Sequence, residues 1–520
     1  MRCARIILLL AVLSAHSSEG YRILCIFPFA GPSHFRMFEA LCKGLARKGH
    51  RVDMISHFPS KLPIANYVDI VDLSGARQNI ADSFSVEYGK SLQRSMTYYI
   101  ATKFGGDLCD LMGQENMRDF IDNPPKDPPY HLVITEYLGA SCYLGFGHLL
   151  KAPVAVVTSF LQAQPINDFT GNPHSHAFFS GAYNEDPTVV SFIDRIRNLL
   201  SNFWGTQMFY HYTSDQTAVM RKYLGRDTPD IRELERAVAL VLTNDHYTIT
   251  GARPITPVIV NVGGLHVEFD DSKLTTELEA WMDSADHGVI YFTFGSLTRI
   301  ETLPESTLQE LYATFEKISP VKVLMKCVNI TKLPDGLPGN VFTKPWMPQI
   351  PVLKHKNTRA FITHGGLMGV QEAVYYGVPM IGIPIFADQM KNINIFVQKN
   401  MAIRINLDDL TEQSMDSALN AILHDSKYKE SARRQSELFR DRPMSAMDTA
   451  TYWIEYVIRN GPDSLRSSAV DMVWWKRNLL DVFSFLTISL VLVTFVLIKV
   501  FIVFVTKICE SSIRIEKKIN

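Results

Sequence analysis

The amino-acid sequence predicts an α/β fold built from two parallel-sheet domains and followed by one membrane-spanning helix. Short apolar runs alternate with amphipathic stretches, which is the pattern of βαβ units. This pattern begins near Arg22 and starts again near Val289, and 520 residues are ample for two hydrophobic cores. Residues 479–506 form a predominantly apolar segment that is long enough to cross a bilayer, for which about 20 residues are needed.

The first 20 residues have the three-part pattern of a secretory signal peptide. Arg2 and Arg5 form the basic region, residues 6–13 form the apolar region, and small residues up to Gly20 offer cleavage sites. A buried first strand is the weaker interpretation, because a better strand follows at once. We therefore expect the main body of the chain to lie in the lumen of the secretory pathway.

Residues 21–262 are predicted to form the first domain. A strand at 22–27, a loop at 28–33, an amphipathic helix at 35–48 and a strand at 51–56 make one βαβ unit. The aromatic-rich segment 160–223 has no clear periodicity. Further strands are predicted at 131–135, 154–158, 237–243 and 258–262, and helical structure at 85–111.

A linker is predicted at 263–286, where the first series of strands has ended, and a second domain at 287–460. The strand 289–294 opens this domain, and helical residues from 427 to 460 are expected to return and brace the first domain. The chain then continues with a membrane-proximal stem at 461–478, the membrane-spanning helix at 479–506 and a tail at 507–520.

The second domain contains the most informative stretch of the chain. Residues 360–363 form an apolar strand, His364-Gly365-Gly366 ends it, a helix carrying Glu372 follows, and after the strand 378–383 Asp388-Gln389 opens another helix. In parallel α/β folds, ligands bind beyond the carboxyl ends of the strands, and a helix N-terminus faces an anion. The two glycines would let backbone N–H groups approach a pyrophosphate closely.

Features flanking the apolar segment 479–506 support a single membrane crossing. Trp474-Trp475 is typical of an interfacial anchor, and the basic residues from Lys507 to Lys518 are consistent with a cytosolic tail. Lys517-Lys518-Ile519-Asn520 resembles a dilysine retrieval signal of the endoplasmic reticulum, and an ordinary basic stop-transfer flank is the competing interpretation. We expect a single-pass type I protein of the endoplasmic reticulum membrane.

Composition excludes some classes of function. A net charge of −1 gives no reason to expect a nucleic-acid partner. Five of the seven cysteines lie between the signal peptide and the membrane segment, and none forms a CxxC pair, so neither zinc nor a redox motif is indicated. Asn329-Ile330-Thr331 is a glycosylation sequon.

Several motifs occur in an order and spacing that is specific in combination. They are Phe294-Gly295-Ser296, Trp346-Met347-Pro348-Gln349, His364-Gly365-Gly366, Glu372, Asp388-Gln389 and Tyr452-Trp453-Ile454-Glu455-Tyr456. This set closely resembles the nucleotide-sugar signature of the UDP-glycosyltransferases, and its sequence is most similar to the arthropod branch. With the N-terminal half and the membrane tail, the resemblance covers nearly the whole chain. It implies the GT-B fold, in which two Rossmann-like domains face each other.

The resemblance also implies roles for the donor-binding residues. Trp346 would stack on the uracil with Gln349 nearby, and Glu372 would accept hydrogen bonds from the ribose. Ser296 and His364 would contact the phosphates, with the backbone N–H groups after Gly365 and Gly366. Asp388 and Gln389 would contact the sugar hydroxyls. Because there is no Asp-x-Asp motif, we expect no metal ion and no other cofactor beside the UDP-sugar co-substrate.

His34 follows the first predicted strand, where α/β folds place working groups. Gly31-Pro32-Ser33-His34 resembles the catalytic-base loop of the family, and a histidine titrates in the range that such a base needs. The family's partner for this base is an aspartate after a middle strand. Glu136 occupies that place, with the same chemistry and one more methylene.

One feature departs from the family pattern, and another does not decide which acceptor binds. Leu367-Met368-Gly369 stands where the family often has Ser or Asn, and Leu and Met cannot hydrogen-bond phosphate. The aromatic residues between Phe160 and Tyr210 either line an apolar acceptor pocket or are ordinary core and membrane-facing packing.

The sequence therefore predicts an inverting UDP-glycosyltransferase that transfers a hexose, expected to be glucose, to a hydroxyl of a small lipophilic acceptor. The competing function is a catalytically weak, membrane-tethered binding protein for lipophilic ligands. A nicotinamide-dependent enzyme is a poor third, since no GxGxxG follows the first strand. The expected partners are the UDP-sugar, the acceptor and the lipid bilayer, and a homo-oligomer stays open.

Overall fold

The computed structural model describes residues 20–519 apart from 78–79, 162 and 182–183, without the side chains of 94 and 516–519. The predicted signal peptide therefore lies outside the described residues except for Gly20. The chain divides after Arg466 into two compact units.

The first half of the larger unit contains a seven-stranded sheet. All neighbouring strands are parallel, and their order is β3-β2-β1-β4-β5-β6-β7. The strands are β1 (Arg22–Phe27), β2 (Arg51–Ser56), β3 (Tyr67–Asp72), β4 (Leu132–Glu136), β5 (Val154–Thr158), β6 (Leu240–Thr243) and β7 (Ile259–Asn261).

Helices pack on both faces of this sheet. They are α1 (Pro32–Arg47), α2 (Val86–Leu92), α3 (Met96–Ala101), α4 (Asp107–Cys109), α5 (Glu115–Asp122), α6 (Gly145–Leu150), α7 (Gln164–Thr170), α8 (Phe192–Tyr212), α9 (Gln216–Leu224), α10 (Ile231–Arg236) and α11 (Tyr247–Thr250). The predicted linker region contains α12 (Leu265–Glu268) and α13 (Thr276–Asp283).

The second half contains a six-stranded parallel sheet with the order β10-β9-β8-β11-β12-β13. Its strands are β8 (Val289–Thr293), β9 (Lys322–Lys326), β10 (Val341–Lys344), β11 (Thr358–Thr363), β12 (Met380–Gly382) and β13 (Ala402–Arg404). Its helices are α14 (Glu305–Lys317), α15 (Gln349–Lys354), α16 (Leu367–Tyr376), α17 (Gln389–Gln398), α18 (Glu412–His424), α19 (Ser426–Arg440) and α20 (Ala446–Asn460). The two predicted Rossmann-like domains are confirmed.

The central strands are buried along their whole length because helices cover both faces of a parallel sheet. All six residues of β1 are buried. On one face, α1 contributes Phe38, Leu41 and Leu45 to a core that also includes Met447 and Ile454 of α20. The C-terminal helix of the larger unit thus packs against the first domain.

The structure differs from the predicted elements in several places. The predicted strand 237–243 begins only at Leu240. The predicted helical stretch 85–111 is broken, because a π-helical turn at Thr102–Gly106 follows α3. Within that turn a side chain at Gly105 would lie 2.5 Å from the backbone oxygen of Gly139. The prediction missed β3, whose exposed and buried residues alternate irregularly at an edge of the sheet. Finally, β12 covers only the middle of the predicted strand 378–383.

The smaller unit contains α21 (Trp474–Arg477) and the long helix α22 (Leu480–Ile519). Within residues 480–515 of α22, an 18-residue window has a mean hydropathy of 3.0, and among the described residues this is the one helix long and apolar enough to cross a membrane. Leu479, where the predicted span began, precedes the helix with a left-handed φ of 54°.

Candidate active site

A cavity of about 220 Å³ lies between the two sheets. Residues that follow strands of the first sheet form one wall, and residues that follow strands of the second sheet form the other. Nearly all predicted site residues line it: His34, Ser296, Trp346, Gln349, His364, Gly366, Glu372, Asp388 and Gln389.

His34 stands in the first turn of α1, and not in the loop where the sequence placed it. Pro32 occupies the first position of this helix, where its fixed φ and missing N–H suit a helix start. The helix therefore begins two residues before the histidine, and it gives the imidazole a rigid base. The ring is 26% exposed, which leaves it accessible from the cavity.

Glu136, the last residue of β4, lies behind His34 and is 3% exposed. Its Oε1 accepts a hydrogen bond from Nδ1 of His34 at 2.7 Å, so the extra methylene does not prevent the contact. With the proton on Nδ1, the other ring nitrogen, Nε2, is a free base toward a substrate. A buried carboxylate in this place fixes the tautomer of the ring and stabilises the imidazolium that forms when Nε2 takes a proton.

Ser159 is a third member of this cluster that the sequence reasoning missed. Its Oγ lies 2.8 Å from Nδ1 of His34 and 3.4 Å from Oε1 of Glu136. It follows β5 as His34 follows β1, and these two strands flank β4 in the sheet. The only local signal in the sequence was a polar residue directly after the buried strand β5, and it does not point to His34.

His364 follows β11 and is enclosed by two glycines. A side chain at Gly295 would lie 2.5 Å from Cε1 of the imidazole, and one at Gly366 would lie 2.7 Å from its Nε2. Gly295 also has a φ of 78°, which side chains rarely permit. The glycines therefore make room for the ring as well as for a ligand.

Burial lowers the pKa of the His364 imidazole to about 4, and the nearby positive charge of Lys326 makes a smaller contribution in the same direction. The ring is therefore neutral at neutral pH. Its Nδ1 is buried and has no hydrogen-bond partner among the described residues. A neutral imidazole can still donate one N–H to a phosphate oxygen.

Lys326, at the end of β9, is a cationic residue on the second-domain wall of the cavity that the sequence reasoning missed. Its Nζ donates to Oδ1 of Asp82 at 2.5 Å and to the carbonyl oxygen of Gly295 at 2.8 Å. Asp82 belongs to the first domain, and its own N–H donates to the carbonyl oxygen of Ser296 at 2.8 Å. The loop that carries Ser296 is thus held from the opposite domain.

Glu372 is buried in α16, and both of its carboxylate oxygens have neighbours. Gln349 donates from Nε2 to Oε2 at 2.6 Å, while Nε2 of His266 lies 3.3 Å from Oε1. A side chain at Gly369 would lie 3.0 Å from Nε2 of Gln349. The glycine of the Leu367-Met368-Gly369 departure therefore leaves the space that Gln349 occupies.

Trp346 follows β10 and is 49% exposed, with its ring at the cavity. The guanidinium carbon of Arg36 lies 5.9 Å from the ring centre, and Nζ of Lys326 lies 5.0 Å from it. An exposed indole between cations is a good platform for a planar base next to phosphates.

Asp388 and Gln389 have different hydrogen-bond roles at the start of α17. Oδ2 of Asp388 accepts from Nδ2 of Asn392 at 2.9 Å, and burial raises the pKa of the Asp388 carboxyl. Oε1 of Gln389 accepts from the backbone N–H groups of Ile385 and Phe386 at 2.8 and 3.0 Å. That oxygen is committed to its own loop, so Gln389 can offer a sugar only its amide N–H₂.

The N-terminus of α16 meets the cavity without a capping side chain from the described residues, and its first turn contains no acidic residue. Its backbone N–H groups can therefore receive an anion. Leu367 is buried, and Sδ of Met368 lies 3.1 Å from Nδ2 of Asn244 in the first domain. The side chains of Leu367 and Met368 therefore serve in packing, and only the backbone N–H groups of this turn are available to bind an anion.

The glycosylation sequon and the cysteines lie outside the cavity. Asn329 is exposed, and its Oδ1 accepts from the N–H and the hydroxyl of Thr331. Cys109 and Cys142 form a disulfide, which the sequence reasoning did not pair. Cys25, Cys42 and Cys327 are buried free thiols.

Comparisons with known proteins show to which family this chain is similar. The model of the family described as UDP-glucoronosyl and UDP-glucosyl transferase matches residues 130–515. UDP-glucosyltransferase 2 of Dactylopius coccus is 34% identical over 490 residues, which cover 93% of each chain. UDP-glucuronosyltransferase 2B1 of Rattus norvegicus is 32% identical over 511 residues, which cover 94% of this chain and 93% of the relative.

Two solved structures share the fold at low identity. The glycosyltransferase VinC, in complex with dTDP, superposes with a TM-score of 0.56 and 15% identity over 85% of this chain and all of its own. The glycotransferase of kitacinnamycin gives a TM-score of 0.53 and 16% identity over 84% of this chain and 98% of its own. The GT-B fold is thereby confirmed, and the chain belongs to the UDP-glucuronosyl and UDP-glucosyl transferase family as a hexosyltransferase that uses a UDP-sugar.

Proposed function

We propose that this enzyme transfers glucose from UDP-glucose to a hydroxyl of a small lipophilic acceptor with inversion at the anomeric carbon. One observation carries the proposal. The contacts among His34, Glu136 and Ser159 stand on one wall of the cavity, opposite the donor residues on the other wall. A base and a leaving-group site that face each other across one cavity suit an in-line displacement.

In the proposed step, Nε2 of His34 takes the proton of the acceptor hydroxyl as its oxygen attacks the anomeric carbon. The bond between that carbon and the UDP oxygen breaks on the opposite side, and both bonding electrons leave with UDP. An α-linked donor therefore gives a β-glycoside. Glu136 stabilises the imidazolium until its proton is lost.

The negative charge that grows on the leaving UDP would be stabilised by the backbone N–H groups of α16, by His364 and by Ser296. These groups support a reaction that needs no divalent cation. We expect that addition of EDTA to the full-length enzyme in microsomes will leave the initial rate of UDP release nearly unchanged. The matched control is the same assay with MgCl₂ restored. A strict dependence on added metal would contradict the helix-terminus account.

The acceptor side of the cavity is lined mainly by apolar residues and borders a second cavity of about 220 Å³. The two cavities share Ile100, Leu138 and Phe160, and Asn202 and Thr206 of α8 line the second one. This arrangement favours an acceptor with an apolar body at His34 and polar groups at its far end. The apolar residues of the first domain that line this cavity together with His34 include Phe29, Met96, Ile100, Phe104, Leu138 and Phe160.

Replacing Phe160 with alanine is expected to raise the KM for a phenolic acceptor by about tenfold, because contact with an aromatic side chain is lost. The KM for the UDP-sugar should stay the same, since Phe160 belongs to the acceptor wall. Initial rates with each substrate varied in turn measure both constants. Phe178→Ala is the matched control, because Phe178 is 54% exposed and lines neither cavity. An unchanged acceptor KM in Phe160→Ala would place the acceptor elsewhere.

The donor and the activity itself are tested by UDP release from microsomes that contain the full-length protein. The panel compares UDP-glucose with UDP-glucuronate and other UDP-sugars, each with and without a set of phenols. Acceptor-dependent release with UDP-glucose above the others is the expected result. Faster release with UDP-glucuronate would overturn the choice of glucose. Acceptor binding without release from any donor would favour the tethered binding protein.

The proposed location is the endoplasmic reticulum membrane, with both sheet domains in the lumen and α22 as the anchor. Protease added to sealed microsomes should then remove only the tail after Lys507. Replacing Lys517 and Lys518 with serine should let the protein leave the endoplasmic reticulum without a change in activity. Unchanged location in the double variant would favour a basic stop-transfer flank, and digestion of the main body would invert the topology.

A further inference from the structure

The 21-residue helix α8 buries mostly polar residues and exposes apolar ones, the reverse of the usual arrangement for a helix on the surface of a soluble domain. Its buried residues are Asn198, Asn202, Thr206 and Phe209, so three of the four are polar. Its opposite side exposes large apolar side chains, each between 37 and 66% exposed. These are Phe192, Ile193, Ile196, Leu199, Leu200, Phe203, Trp204 and Met208.

Hydrogen bonds fix which side of α8 faces inward. Oδ1 of Asn198 accepts from the N–H of Gly181 at 3.1 Å and from Nδ2 of Asn202 at 2.9 Å. Nδ2 of Asn198 donates to the carbonyl oxygens of His176 and Phe179 at 2.8 and 2.9 Å. Rotating the helix to bury its apolar side would break these bonds and leave buried polar groups unpaired. The outward apolar side is therefore a fixed feature of the fold.

On the inward polar side of α8, Asn202 and Thr206 line the second cavity. The outward side has no such partner among the described residues. Soluble proteins rarely expose a contiguous apolar surface of this kind, and one that is present marks an interaction site. From Leu199 to Met208 the exposed residues carry no charge, and Arg195 and Arg197 lie nearer the start of the helix.

We propose that the outward face of α8 lies in the interfacial region of the lipid bilayer. Phe, Trp, Leu and Ile on one face with arginine near one end make up the composition of a helix that lies in the membrane plane. Trp204 is suited to the boundary between headgroups and acyl chains. The same chain contains α22, which is long and apolar enough to anchor it in a membrane, so a bilayer is always present at high effective concentration.

The proposal goes beyond transfer activity, and its test does not depend on turnover. Full-length protein is reconstituted in phosphatidylcholine vesicles whose acyl chains carry bromine, and in matched vesicles without bromine. Bromine quenches tryptophan fluorescence only at short range, so it reports contact with acyl chains. Subtracting the emission of Trp204→Phe from that of the parent protein isolates the emission of Trp204. We expect this difference to fall several-fold in the brominated vesicles.

Trp281→Phe is the matched control, because Trp281 stacks on Phe342 of the second domain at 5.1 Å between ring centres. Its difference emission should be the same in both kinds of vesicle. Equal Trp204 difference emission with and without bromine would overturn the proposal. Both substitutions keep an aromatic ring, and near-ultraviolet circular dichroism of the variants verifies that the fold is retained.

A second copy of the chain is the competing occupant of this face. Phe203→Cys in a Cys509→Ser background tests it, because Cys509 is an exposed free thiol and Cys25, Cys42 and Cys327 are buried. Efficient disulfide cross-linking between copies in the same vesicles would replace the bilayer with a dimer interface and overturn the proposal. We expect monomer after oxidation, together with bromine quenching of Trp204.

Discussion

Replacing His34 with alanine is expected to lower the rate of transfer by about 10²–10⁴-fold, the contribution of a well-placed general base. His34 stands on the first-domain wall of the cavity, while Trp346 and Glu372 stand on the other wall. UDP should therefore bind to the variant with nearly unchanged affinity. Initial rates with saturating acceptor measure the first effect, and calorimetric titration with UDP measures the second.

Variants of Glu136 and Ser159, the two partners of His34, distinguish the loss of the base from the loss of its orientation. Glu136→Ala should cost less than His34→Ala, because the base remains. Glu136→Asp shortens the side chain by one methylene, and so tests whether the 2.7 Å contact with Nδ1 needs the length of glutamate. Ser159→Ala should have the smallest effect of the three alanine variants, because Glu136 still holds the ring. Near-normal turnover in His34→Ala would refute the mechanism, and a silent Glu136→Ala would refute the pairing of histidine and carboxylate.

The second large effect is expected for Trp346→Ala. Stacking of a base on an aromatic side chain contributes about 1–3 kcal/mol, so the KM for the UDP-sugar should rise by about tenfold or more. The stacked uracil does not react, and its contact is the same in the ground state and the transition state. The kcat should therefore change little. Steady-state rates with the UDP-sugar varied at saturating acceptor give both constants.

Trp346→Phe is the conservative control, since it keeps an aromatic face and should restore most of the affinity. The indole is 49% exposed, so loss of the ring should leave the fold intact. An unchanged KM in Trp346→Ala would mean that the base binds elsewhere in the cavity. A fall in kcat without a change in KM would mean that the Trp346 ring stabilises the transition state and not the bound UDP-sugar.

Much of the fold could be predicted from the sequence, because it depends on short-range patterns. The strands β1, β2 and β5 have the predicted limits, since each is a continuous apolar run between clear turns. Where the pattern is weak the prediction was incomplete. The edge strand β3 lacks such a run, and the break between α3 and α4 depends on the close approach of Gly105 to Gly139, which are far apart in sequence.

The site divides in the same way. His34, His364 and Glu372 could be named because each lies inside a recognisable local motif. Ser159 could not, since its partner His34 is 125 residues away. Lys326 and Asp82 are 244 residues apart, and no local pattern joins them.

By itself the sequence predicted two parallel α/β domains, a segment apolar enough to cross a membrane, and the residues that line the cavity between the two sheets. Those features follow from hydrophobic periodicity and from motifs that act over a few residues. The tertiary structure alone decided which groups meet: Ser159 with His34, Lys326 with Asp82, and Cys109 with Cys142. It also decided the orientation of α8. Periodicity shows that a helix has an apolar side, but packing against Gly181 and His176 decides which side faces the protein.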